Sequence, residues 1–102
     1  VSRLEQLQKL ADAQPEDPLA RYAVGLECMQ LKRWAEAEAA FDRTLTIDPH
    51  YSAAYFQKAR AQIKLGQPRA AAATLRKGID VAAARGESHT VDKMKELLET
   101  LL

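Results

Sequence analysis

Apolar side chains recur every three to four positions along most of this chain, and no stretch alternates strictly between apolar and polar. That period belongs to one face of an α-helix and not to a half-buried strand. Leu4, Leu7, Leu10 and Ala11 form the first stripe, and Ser2 followed by Glu5 predicts a reciprocal capping box at its start. The first helix is therefore expected over about 2–13. Asp17 can cap a second helix whose first residue is Pro18, where a missing N–H costs nothing, and which runs to about Leu31. A third helix is expected from Trp34 to Ile47, ahead of Asp48-Pro49. A fourth covers about 52–65 and ends at Gly66, a left-handed cap. The fifth begins at Pro68 and reaches Arg85, ahead of Gly86. A sixth follows Ser88, with Val91, Met94, Leu98 and Leu101 on one stripe. The expected fold class is all-α, with about six helices.

Shifted by 34 residues, the sequence matches itself in size and chemistry. Pro15 falls on Pro49, Ala20 on Ala54, Tyr22 on Phe56, Gly25 on Ala59 and Met29 on Ile63. Leu31 falls on Leu65, Ala37 on Ala71 and Phe41 on Leu75. A fixed period of this length means stacked supersecondary units. Within each unit, two antiparallel helices pack closely only where small residues face each other. Gly25 with Ala37, and Ala59 with Ala71, are placed to allow that approach, with Phe41 and Leu75 filling the space beside them.

In period and in these positions the chain resembles the tetratricopeptide repeat. The unit 18–51 carries Gly25, Ala37, Phe41 and the exit Pro49; the unit 52–85 carries Tyr55, Ala59, Gly66, Ala71 and Leu75. The resemblance implies a right-handed superhelix of antiparallel helix pairs forming a single domain over 1–102. It would comprise an N-terminal half-repeat helix (1–15), repeats at 18–51 and 52–85, and a C-terminal capping helix (88–102). Departures from the family pattern are Arg21 and Cys28 in the first unit, and Lys58, Gln62 and Ala83 in the second.

Composition narrows the function. Fifteen basic and fourteen acidic residues give a formal charge of +1, unlike the basic excess of a nucleic-acid binder. No apolar run approaches the roughly 18 residues of a membrane span, and no signal peptide is visible. The single Cys28 cannot form an internal disulfide, which suits a reducing, cytoplasmic setting. Cys28 falls on the face that should meet the third helix and reads as a core residue. His50 and His89 lack further ligands at metal spacing. No nucleophile signature or phosphate loop is present. A protein that needs no cofactor and is not an enzyme is therefore expected.

A binding module remains. In the family, the first helix of each pair lines the concave surface, and that resemblance assigns Tyr22, Leu26 and Met29 of the second helix, and Phe56, Arg60 and Ile63 of the fourth, to one strip. Such a strip would hold a protein or peptide partner, or serve as a homodimer interface. Arg60 adds a cation suited to an acidic–apolar segment. Some members of the family grip C-terminal carboxylates through a Lys/Asn/Arg clamp. Here Tyr22 and Leu26 stand at the clamp Lys and Asn positions and Gln57 at a second Asn, so the clamp is missing.

Overall fold

The computed structural model describes residues 1–102. It contains six helices and no strand: α1 (Arg3–Ala13), α2 (Pro18–Gln30), α3 (Trp34–Ile47), α4 (Ser52–Lys64), α5 (Pro68–Ala84) and α6 (Ser88–Glu99). Each helix packs against the next in sequence, giving a stack 41 × 29 × 19 Å in extent. Helix α4 also touches both α2 and α6, so the three share one face of the stack.

The punctuation acts as its chemistry dictates. Asp17 accepts a hydrogen bond from the Leu19 N–H at 3.0 Å, with Pro18 opening α2. Ser2 accepts from the Glu5 N–H at 3.1 Å, so the Ser2 half of the expected capping box is formed. Gly66 has φ +73°, and Gln67 N–H donates back to the Gln62 carbonyl at 2.9 Å, a Schellman closure of α4. One repeat earlier the same closure recurs with Arg33 N–H and the Cys28 carbonyl at 2.9 Å. The left-handed residue there is Lys32, at φ +59°.

Two apolar clusters form the interior. The first joins Leu4, Ala11, Val24, Cys28, Ala37 and Phe41 with Ala61 of α4; the second gathers Tyr55, Ala59, Ala71, Leu75, Ala82 and Met94. Helix α4 thus serves both. At the close approach of α2 and α3, a Cβ on Gly25 would overlap the ring of Phe41, with two ring carbons at 2.7 Å. The space that Gly25 leaves is filled by that ring and not by Ala37 alone.

At the polar departures from the family pattern the structure supplies partners, although the buried Nε of Arg21 has none. Gln62 is buried, yet its amide donates to Glu38 of α3 at 3.0 Å and accepts from the Thr74 hydroxyl of α5 at 2.7 Å. Buried polar groups are tolerated when satisfied in this way. Lys58 reaches Asp42 of α3 at 2.7 Å. Arg21, standing where the second repeat has Tyr55, reaches Asp12 of α1 at 3.2 Å. Tyr55 itself donates to the Pro49 carbonyl at 2.8 Å.

Candidate functional site

The face shared by α2, α4 and α6 carries a groove of about 660 Å³. Its floor is apolar. Leu26 and Met29 rise from α2, Ile63 from α4, and Leu97 from α6. These positions sit on one stripe of each helix, and the 34-residue repeat brings Met29 and Ile63 into register. Leu26 keeps 37% of its surface exposed.

The rim is polar, with three cations, one carboxylate and two amides. Arg60 is exposed, and its guanidinium donates to the Gln57 side-chain oxygen at 3.0 Å. Lys64 lies one turn further along α4, with its ammonium 5.6 Å from the centre of the Trp34 ring. Glu27 is the acidic residue of the lining, and Arg3 of α1 pairs with it at 3.2 Å.

Of the six strip residues read from the sequence, Leu26, Met29, Arg60 and Ile63 line this groove. Tyr22 and Phe56 do not; each is half-buried beside it. The Tyr22 ring packs 5.7 Å from Phe41 and 5.0 Å from Tyr51, centre to centre. Burial pushes its phenol above the usual range, opposed by Gln57 and Arg60 nearby. Phe56 packs against the second cluster, with the Lys93 ammonium 4.4 Å above its ring.

Sequence reasoning missed Trp34, Lys64, Leu97 and the Arg3–Glu27 pair. They come from the start of α3, from the end of α4, from α2 and from the two terminal helices. The 34-residue period carries no information about how such positions converge. Cys28 is buried between α2 and α3, and burial, with Glu36 adding to it, holds its thiol above the usual range. His50 and His89 are exposed on separate segments.

The tetratricopeptide repeat family model matches residues 28–90. The chain belongs to the tetratricopeptide repeat family. Solved structures agree on the fold. The TPR2B-domain:pHsp70 complex of yeast Sti1 superposes with a TM-score of 0.91 at 21% identity, covering 96% of this chain and 78% of that one. A tetratricopeptide repeat domain protein from Salinibacter ruber gives 0.79 at 26% identity, covering 85% and 88%. A protein from Bordetella parapertussis gives 0.85 at 21% identity, covering 99% and 88%. No curated protein matches the chain in sequence. Tetratricopeptide repeat domains are, in general, protein–protein interaction modules. No helix here is long and apolar enough to cross a membrane.

Proposed function

We propose that this tetratricopeptide repeat chain holds a peptide, or a segment of a partner protein, in the groove of α2, α4 and α6. The observation that carries the reading is the uncovered apolar floor of Leu26, Met29 and Ile63 inside a polar rim. An apolar centre ringed by polar groups is the anatomy of a recognition surface, and Arg and Trp are the residue types that dominate interface energetics. The domain reads as a half-repeat helix (1–15), two full repeats (18–51 and 52–85) and a capping helix (88–102) that supplies Leu97 to the groove wall. Its lining offers apolar surface, amides, cations and one carboxylate already paired with Arg3, a set suited to holding a polypeptide. The yeast Sti1 domain was solved in complex with pHsp70, which supports a polypeptide partner for this fold. With Tyr22, Leu26 and Gln57 at the clamp positions, the reading does not extend to grip on a terminal carboxylate.

The test is affinity capture from the native cell with the wild-type chain and a Leu26→Glu, Arg60→Ala variant. Both side chains are exposed, so the variant keeps its helical circular dichroism. A partner retained by wild type and lost by the variant is the expected result. Equal capture by both would sink the groove. Light scattering that shows a strict dimer, dissociated by Leu26→Glu, would replace the reading with self-association through the same surface.

A further inference from the structure

The groove's charge is out of proportion to the chain's. Among the lining residues, Arg3, Arg60 and Lys64 are basic and Glu27 is acidic. The Arg3–Glu27 ion pair cancels one of each, leaving two cations in a chain whose formal charge is only +1. Neither Arg60 nor Lys64 makes an ion pair: the five ion pairs of the protein involve Arg3, Arg21, Arg33, Lys58 and Arg85. Gln57 offers Arg60 a neutral oxygen, and Trp34 offers Lys64 the face of a ring. Four residues apart on α4, the two cations lie on one side of the helix, an arrangement that is unfavourable for like charges unless anions lie against them.

Resting on the groove reading above, we propose that the occupant is an internal segment of a partner polypeptide with two acidic side chains and a bulky apolar one beside them. Arg60 and Lys64 receive the carboxylates, while Met29, Ile63 and Trp34 receive the apolar side chain. Four residues of helix advance about 6 Å. Alternate side chains of an extended segment are separated by nearly the same distance, about 6.6 Å, so an acidic–any–acidic pattern spans the pair. Arg60 can take its carboxylate in a bidentate grip, and Lys64 as a point charge over the indole. Both contacts are to side-chain carboxylates, so the segment needs no free C-terminus.

The probe is a phage-displayed library of random twelve-residue peptides, presented within a coat-protein fusion so that no peptide C-terminus is free. It is selected on the wild-type domain, on Arg60→Glu, Lys64→Glu, and on a control with Arg69→Glu, Arg76→Glu on the exposed surface of α5. Wild type and the control should both enrich paired Asp or Glu next to Leu, Met or an aromatic residue. The Arg60→Glu, Lys64→Glu protein should enrich Lys or Arg instead. Wild-type-selected peptides, made synthetically, should bind that variant at least about tenfold more weakly and lose affinity as salt is raised. Their binding is read on Trp34, the only tryptophan. Enrichment of apolar peptides without acids, unchanged by the reversal, would overturn the charge reading and leave the groove standing. Loss of the acidic preference in the α5 control would likewise overturn it. If no peptide that enriches is weakened by Leu26→Glu, the groove reading falls and takes this proposal with it.

Discussion

The ring of Phe41 occupies the space that a side chain on Gly25 would need. One repeat later the same two positions hold Ala59 and Leu75, both fully buried. The smaller Leu leaves room for the larger Ala, so the two pairs are alternative solutions to one packing problem. Gly25→Leu should cost about 1–3 kcal/mol. Gly25→Ala should cost less, because Ala gains about 1 kcal/mol in helix propensity over Gly. Combined with Phe41→Leu, Gly25→Ala should show favourable coupling in a urea-denaturation double-mutant cycle. Strictly additive effects would mean that the two positions do not share their space.

The buried Gln62 amide makes a second test. Thr74→Val leaves its oxygen without a donor, and should cost about 1–3 kcal/mol. Gln62→Leu with Thr74→Val removes both partners and should cost less than Thr74→Val alone. The first repeat already carries the apolar version, Cys28 and Ala40, at the equivalent positions. Thermal melts of the three proteins decide the order.

Lys32 holds a left-handed conformation that costs an L-residue with a side chain roughly 1–2 kcal/mol. Its counterpart is Gly66. Lys32→Gly should raise stability by about 0.5–1 kcal/mol once the extra backbone entropy of Gly is set against the relieved strain. Chemical denaturation checks it, and a lower midpoint would show that the Lys32 side chain contributes more than its backbone costs.

Burial raises the pKa of all three tyrosines, Tyr22, Tyr51 and Tyr55, above the ordinary 10.0. Below pH 10 the phenols keep their protons in both folded and unfolded chains and contribute no pH dependence. Above it the unfolded chain loses protons first, so stability should fall as pH rises through 10 and beyond. Cys28, also raised by burial from 9.0, adds to the same trend from about one pH unit lower. Ultraviolet titration of phenolate should run at higher pH in the native than in the urea-unfolded protein. Coincident curves would contradict the burial.

Helix ends were legible from the sequence because Asp17, Pro18, Pro49, Gly66 and Pro68 act locally: each fixes its own backbone or caps its nearest turn. The repeat was legible because it copies a contact pattern at fixed spacing. Half-legible was the groove. Leu26, Met29, Arg60 and Ile63 follow from helix register together with the family resemblance, which puts the first helix of each pair on the concave face. The rotation of Tyr22 towards Phe41 and Tyr51 depends on the turn ahead of α4, and the arrival of Trp34 and Leu97 depends on how successive helices cross. Those are three-dimensional outcomes with no signature in a single helix. Gln62 read as an anomaly because both its partners, Glu38 and Thr74, lie on other helices.

Repeats that look alike can assemble in the wrong order, since an apolar helix from one unit is a fair substitute for its copy. The Glu38–Gln62–Thr74 chain of hydrogen bonds makes the copies here distinguishable. Were α4 to take the place of α2 against α3, the Gln62 amide would face Ala40, which has nothing to offer its oxygen. Were α5 to take the place of α3 against α2, the Thr74 hydroxyl would face Cys28 and lose the amide that receives it. Three polar side chains thus work as an address, telling each newly made helix which neighbour is its own and which is only a likeness.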